Sequence, residues 1–125
     1  MDTKVCIDTD ISIEILKSTD KGINFLNLAD DEEVFMAAVS VFELFLREKN
    51  AYPVEKLLFK VNILDFSELC ARKASDISKE LKSKGKPIEI RDLFIAATAI
   101  ANNCPLATLN RKHFENIKEL RLLNF

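Results

Sequence analysis

The sequence predicts an α/β fold, in which helices cover both faces of a mainly parallel sheet of four to five strands. Short apolar segments alternate along the chain with segments of helical periodicity, which is the order of repeated β-α units. The first apolar run, residues 4–7, is continuous, as in a strand buried on both faces. Only two glycines and three prolines interrupt the 125 residues, so we expect short connections and one domain, residues 1–125.

In the first half of the chain, caps and apolar stripes indicate where the helices begin. Thr9 or Asp10 suits an N-cap, Ser40 and Glu43 have capping-box spacing, and Pro53 suits a first helical turn. The predicted elements are strand 4–7, a helix to about residue 17, helix 21–29, strand 34–39, helix 40–49 and helix 54–59.

In the second half, Ser67 caps a long amphipathic helix that Gly85 stops. A later helix is apolar almost all round, so it should be buried, and Asn110 should cap a short turn. The predicted elements are strand 61–66, a helix to about residue 84, helix 91–101, strand 106–108 and an edge strand within 120–123.

Composition excludes several classes of protein. Eighteen basic and twenty acidic residues give a net charge of −2, so no overall positive field attracts nucleic acid. Three cysteines without paired spacing favour a reduced cytoplasmic protein and argue against zinc. No apolar run approaches the roughly 20 residues that span a bilayer, so no membrane partner is expected.

Three acids should meet at one edge of this sheet. Asp8 follows the first strand, where open α/β folds build their sites. Helices run antiparallel to the strands they connect, so Asp92, which opens the helix before the fourth strand, belongs at the same edge. Glu43 opens the helix after the second strand and should also converge on Asp8.

A cluster of carboxylates needs a cation to neutralise it, and Mg²⁺ or Mn²⁺ prefers such oxygen ligands. Each acid also has a purely structural explanation. Glu43 is equally well explained as a capping-box residue. An aspartate such as Asp92 is favoured in the first turn of a helix by the helix dipole, and Asp10 is more simply explained as a helix cap. Asp65 also ends a strand and competes for the site.

The last motif, residues 108–114, places several polar side chains after the fourth strand. His113 and Asn110 have ordinary surface and capping explanations. Arg111 could hold phosphates at a site, although adjacent basic residues are usually only solvated.

Four segments, taken in order, resemble the PIN domain family, most closely its VapC-type toxins of prokaryotic toxin-antitoxin pairs. They cover essentially the whole chain: Asp8-Thr9-Asp10, Ser40 to Glu43, Asp92 to Ala99, and Thr108-Leu109-Asn110 with His113-Phe114.

The resemblance implies a three-layer α/β/α, Mg²⁺- or Mn²⁺-dependent endoribonuclease, a hydrolase acting on RNA. Asp8, Glu43 and Asp92 match the acidic metal-site residues of the family. Relatives often have a fourth acid where this chain has His113, which leaves the second ion in doubt unless Asp10 supplies the charge.

The same resemblance implies that neighbouring residues support the acids or contact the substrate: Thr9, Thr108, Asn110, His113 and Arg111, with the first three orienting the carboxylates. It also implies a homodimer and a cognate antitoxin whose C-terminal segment covers the site. Five apolar residues could line its groove or be simply core: Phe25, Leu28, Phe42, Phe45 and Phe59.

Two other functions are compatible with parts of this sequence. A phosphorelay receiver domain is also α/β, and it would use Asp65 as phosphoacceptor with Asp8 and Asp10 holding Mg²⁺. That hypothesis leaves Asp92 in a buried helix unexplained. The other is a non-catalytic partner-binding module that retains the PIN fold.

Overall fold

A four-stranded parallel sheet lies at the centre of the computed structural model, which describes residues 4–125. The strand order is β3-β2-β1-β4, and every neighbouring pair is parallel. The strands are β1 (Lys4–Ile7), β2 (Glu33–Ala37), β3 (Asn62–Leu64) and β4 (Leu106–Ala107). The first strand is therefore central, as its continuous apolar run predicts.

Helices cover both faces of this sheet. They are α1 (Thr9–Leu16), α2 (Asp20–Leu28), α3 (Ala38–Arg47), α4 (Ala51–Leu58), α5 (Glu68–Ser83) and α6 (Ile90–Ala101), followed by the short 3-10 helix Arg111–His113. Successive side chains of β1 enter different cores, because a strand alternates its faces. Cys6 packs with α5 and α6, whereas Val5 and Ile7 pack with α1 to α4. The three-layer α/β/α prediction is confirmed.

The local signals explain most helix boundaries. Thr19 and Ser67 cap α2 and α5 by accepting hydrogen bonds from backbone N–H groups three residues later. Gly85, which follows the C-cap residue Lys84 of α5, has a φ of 68°, a backbone conformation that glycine adopts without strain. The helix predicted from about residue 91 is the buried α6, capped by Glu89.

Three predicted caps are wrong. Asp8, and not Thr9 or Asp10, is the N-cap of α1, accepting from the Thr9 backbone N–H. The 3-10 helix follows Asn110, but the Asn110 side chain does not cap it. Ser40 and Glu43 do not form a capping box, because β2 ends at Ala37 and α3 begins at the next residue.

Two expected strands are shorter than the apolar runs that predicted them. β3 spans only three residues, and the predicted edge strand at 120–123 is reduced to a single parallel bridge between Leu106 and Leu122. Helix α4 starts earlier than predicted, with Asn50 as its cap and Pro53 in its first turn. A proline is tolerated there because the first N–H groups of a helix have no partner inside the helix.

Candidate metal centre at the carboxyl edge of the sheet

Asp8 lies at the carboxyl end of the central strand and is almost fully buried, with 5% of its surface exposed. Its Oδ1 accepts a hydrogen bond of 2.7 Å from the Thr9 backbone N–H. Its Oδ2 accepts one of 2.7 Å from the Thr108 hydroxyl at the end of β4. Burial and the negative charges of Asp10 and Asp92 raise the pKa of Asp8 to about 7, against the lowering effect of these hydrogen bonds.

Asp92 reaches the same edge from the first turn of α6, as the antiparallel course of that helix predicts. Its Oδ2 lies 3.1 Å from Nδ1 of His113, which is in the 3-10 helix. Burial raises the pKa of Asp92, the nearby charge of His113 opposes that effect, and Glu89 and Glu43 add to it. The charge of Asp92 in turn helps to raise the pKa of Asp8, so the two carboxylates belong to one cluster.

Glu43 occupies the second turn of α3, and not the helix opening that the sequence suggested. Its Oε1 lies 2.7 Å from the Thr9 hydroxyl, which itself lies 3.0 Å from the Ser40 hydroxyl. Because a carboxylate can only accept, Thr9 donates to Glu43. The other oxygen of Glu43, Oε2, lies 3.7 Å from a guanidinium nitrogen of Arg91.

The Asp10 carboxylate has different hydrogen-bond partners from the Asp8 carboxylate. Its Oδ1 accepts from the backbone N–H of Ile11 at 2.6 Å. Its Oδ2 accepts from the Leu109 backbone at 3.0 Å and from the Asn110 amide at 3.1 Å, and it lies 3.3 Å from the Thr108 hydroxyl. These contacts fasten the segment after β4 to the start of α1, so Asp10 holds the loop that carries Asn110.

The remaining predicted residues divide into those near the acids and those directed elsewhere. Arg111 donates to the Leu123 carbonyl at 3.0 Å, which ties the 3-10 helix to the C-terminal segment. Asp65 follows β3, which is separated from β1 by β2, and its side chain is exposed. Arg91 and Glu89 were missed by the sequence prediction; their only signal was their position beside Asp92.

The donor chemistry of this edge suits a hard divalent cation, because Asp92 raises the pKa of Asp8 and Glu43 raises the pKa of Asp92. Within residues 4–125, however, no three acidic, histidine or cysteine side chains are already placed to hold a metal ion together. Glu43 is directed toward Thr9 and Arg91, and Asp92 toward His113. Ion binding at all three acids therefore requires side-chain movement.

Comparison with known proteins agrees with this architecture. Residues 5–120 match the family model described as the PIN domain. Ribonuclease VapC2 of Rickettsia felis is 32% identical over 133 residues, covering 100% of this chain and 96% of the relative. Ribonuclease VapC1 of Methanocaldococcus jannaschii is 32% identical over 124 residues, covering 97% and 86%.

Solved structures show the same likeness. A crystal structure of VapBC2 from Rickettsia felis, bound to a DNA fragment from their promoter, has a chain with a TM-score of 0.84 at 29% identity. The match covers 97% of this chain and 98% of that one. VapBC-1 from nontypeable Haemophilus influenzae gives a TM-score of 0.80 at 27% identity, covering 97% of each chain. By its sequence and its fold, the chain belongs to the PIN domain family.

Proposed function

We propose that this chain is a VapC-type endoribonuclease, a hydrolase of RNA phosphodiester bonds and the toxin of a toxin-antitoxin pair. The observation that carries the proposal is the convergence of Asp8, Glu43 and Asp92 at one sheet edge in a chain whose relatives are named ribonucleases. A receiver domain is not supported, because the family is PIN and Asp65 lies apart from this cluster.

Asp8, Glu43 and Asp92 are proposed to hold Mg²⁺ or Mn²⁺. When bound, such an ion activates water for hydrolysis and offsets the negative charge of the phosphate. Asp10 is the weaker candidate for a ligand, because its two oxygens already face three N–H donors and a hydroxyl. We therefore favour one ion, with Asp10 as a residue that positions the loop after β4.

The hydrogen-bond partners of these acids define what the chain itself contributes. Thr108 and the Thr9 backbone orient the Asp8 carboxylate, and the Thr9 hydroxyl orients Glu43. His113 holds Asp92 through one ring nitrogen. Such partners fix the direction of metal-binding carboxylates, and losing one typically costs about 10–100-fold in metal affinity or activity.

Cleavage of a labelled single-stranded RNA, with Mg²⁺ or Mn²⁺ in excess, tests this assignment. Asp8→Asn and Asp92→Asn should each reduce the rate by more than about 100-fold, since they alter proposed metal ligands themselves. Asp65→Asn, which changes an exposed acid at the end of β3, is the matched control and should cleave like the wild type. Full activity of either site variant contradicts the assignment.

The antitoxin partner is proposed to bind the face formed by α1, α2 and α4. A groove of about 330 Å³ opens there, with an apolar lining that includes Ile15, Leu16, Leu26 and Leu57. Large exposed apolar surfaces on a monomer usually mark a binding surface. Of the five apolar residues that could line a groove or be core, Phe25 is core. Leu28, Phe42, Phe45 and Phe59 are exposed but do not line this groove.

A homodimer and a cytoplasmic location complete the proposal, with the chain acting as a single domain. Cys6 and Cys70 are buried thiols and Cys104 is buried as well, which suits a reducing compartment. Within residues 4–125, no helix has the length and apolar character needed to cross a bilayer. Size-exclusion chromatography with light scattering tests the dimer, and a monomeric mass at micromolar concentration contradicts it.

A non-catalytic module with the same fold is the alternative. Calorimetric titration with Mn²⁺ separates it from a nuclease, because the module needs no ion at the Asp8 edge. Binding that is lost in Asp8→Asn supports the nuclease, whereas the absence of binding to the wild type supports the module.

A further inference from the structure

A cleft of about 250 Å³ adjoins the proposed metal centre on the side of Asp92 and His113. One wall is the connection from α5 to α6, including Lys86, Pro87 and Ile88. The other wall is the 3-10 helix and the residues after it, including Lys112. Its volume is just below the range of about 300–1,000 Å³ that is usual for small-ligand pockets, and the cleft is open to solvent at the surface.

Each wall carries one lysine, Lys86 or Lys112, that lacks an acidic partner within the described residues. Among residues 4–125, neither Lys86 nor Lys112 takes part in an ion pair, whereas Lys73 and Lys84 pair with glutamates. Both lysines are exposed. In a chain of net charge −2, two unpaired cations that face one cleft beside a cluster of acids indicate binding of an anion.

Two acids, Glu89 and Asp92, line the cleft; Asp92 is a proposed metal ligand, and Glu89 does not cancel the charge of the lysines. Glu89 uses Oε2 to cap α6, accepting from the backbone N–H groups of Arg91 and Asp92 at 2.9 and 3.3 Å. Its Oε1 lies 3.5 Å from the Arg91 guanidinium. The carboxylate of Glu89 is therefore engaged by its own helix, and the lysines are left for a ligand.

The backbone beneath each lysine is fixed. The Lys86 N–H donates to the Leu81 carbonyl at 2.9 Å, and the Gly85 N–H donates to the Lys82 carbonyl at 3.0 Å, which is the pairing of a Schellman turn. On the other wall, Phe114 is buried and anchors the 3-10 helix that carries Lys112. The two cations are thus presented from rigid positions, with only their side chains free to adjust.

We propose that this cleft binds the RNA nucleotide next to the cleaved phosphodiester, with Lys86 and Lys112 contacting its phosphate. Pro87 and Ile88 offer the sugar or base an apolar surface, and the Asn116 amide supplies a polar contact at the cleft. The inference rests on the ribonuclease function proposed above. It adds a substrate subsite and assigns two positioning residues that make no contact with the acids.

Steady-state cleavage of a short RNA by Lys86→Ala and Lys112→Ala tests the subsite. Each variant should raise KM roughly 5- to 20-fold, as for the loss of one charge-assisted phosphate contact, with little change in kcat. The slope of log affinity against log salt should fall by about 0.7 for each lost contact with a single strand. Lys79→Ala on α5, outside this cleft, is the matched control and should leave KM unchanged.

A second comparison assigns the effect to the neighbouring phosphate. An RNA that carries a neutral methylphosphonate next to the cleaved bond should lose at least as much affinity with wild-type protein as Lys112→Ala loses with normal RNA, because it weakens the contacts of both lysines. Combining the two changes should cost no more than the methylphosphonate alone, because the neutral group has already removed the contact with Lys112. Equal losses from Lys79→Ala, or fully additive losses in the combination, overturn the subsite.

The two proposals fail in different ways. If the wild type does not cleave RNA with either metal, the ribonuclease function fails and the subsite fails with it. If the wild type cleaves RNA but both lysine variants keep the wild-type KM, the subsite is overturned and the nuclease assignment stands.

Discussion

The Thr108 hydroxyl lies 2.7 Å from Oδ2 of Asp8, although the two residues are 100 positions apart in the chain. The same hydroxyl lies 3.3 Å from Oδ2 of Asp10. One side chain at the end of β4 therefore contacts both acids that follow β1. This arrangement keeps the Asp8 carboxylate in place even though burial and like charges disfavour its ionised form.

The stability of the metal-free protein should depend on the ionisation of Asp8. Its pKa is about 7 in the folded state and near 3.8 when unperturbed, so the folded state binds the proton more tightly. This contribution is fully present below pH 4 and is lost as pH rises through 7. Its loss lowers the free energy of unfolding on the order of 4 kcal/mol. Urea unfolding in EDTA between pH 4 and 8 measures it.

Asp8→Asn removes this titration with little change in shape, since Asn is as good an N-cap as Asp. The free energy of unfolding of the variant, relative to wild type, should therefore rise between pH 4 and 8. Asp31→Asn, at an exposed acid outside the cluster, should follow the wild-type profile. If Asp8→Asn also runs parallel to the wild type, Asp8 is not the buried acid described above.

Divalent ions should stabilise the folded protein through the same acids. Mn²⁺ at about 100 times its dissociation constant contributes about 2.7 kcal/mol, which raises Tm by roughly 5–10 °C for a chain of this size. The increase in Tm on adding Mn²⁺ should be smaller at pH 5.5, because protons compete with the ion for the carboxylates. Differential scanning fluorimetry measures it, with Asp76→Asn as a control on the exposed face of α5. An undiminished shift in Asp92→Asn contradicts the proposed ligand set.

The fold was largely predictable because its signals are local. The continuous apolar run at Val5-Cys6-Ile7 identified the central strand, and Ser67 with Gly85 marked both ends of α5. The start of α3 was not predictable in this way. The turn from β2 into α3 takes no extra residue, and Ala37 caps the helix without a side-chain hydrogen bond. Tertiary packing therefore sets that boundary, with no capping motif to mark it.

The Thr9 hydroxyl should matter for activity because it donates to Glu43. Thr9→Val keeps the shape of the side chain but removes the donor, and it should lower RNA cleavage about 10- to 100-fold. Ser40→Ala leaves the bond between Thr9 and Glu43 intact and serves as the control. Steady-state cleavage of one RNA by both variants makes the comparison. Equal activity of the two variants means that Thr9 does not orient Glu43.

The groove between α1, α2 and α4 should be required for antitoxin binding. Leu26→Glu places a charge in its apolar lining and should weaken binding at least tenfold, because burying an unpaired carboxylate is costly. Leu69→Glu makes the same change at a comparably exposed leucine on α5 and should bind normally. Co-expression of each variant with the cognate antitoxin, followed by size-exclusion chromatography, measures the effect. Loss of the complex in both variants, or in neither, contradicts the assigned surface.

The sequence predicted which acids converge at the candidate site, but it did not predict their hydrogen-bond and ion-pair partners. The antiparallel course of α6 predicts that Asp92 lies at the same edge of the sheet as Asp8. The salt bridge between Arg91 and Glu43 depends on the tertiary positions of α3 and α6, and no spacing rule in the sequence reports it. For the same reason Asp10 could be mistaken for a cap, since its partners lie about 100 residues away.

The identity of the metal ligands is the centre of this account. A crystal soaked in Mn²⁺ and measured for anomalous scattering shows directly which side chains contact the ion. We expect a single strong peak in contact with Asp8 and Asp92, with Glu43 turned away from Arg91 to face it. A peak at any other position, or no peak beside Asp8 at saturating Mn²⁺, contradicts the proposed centre.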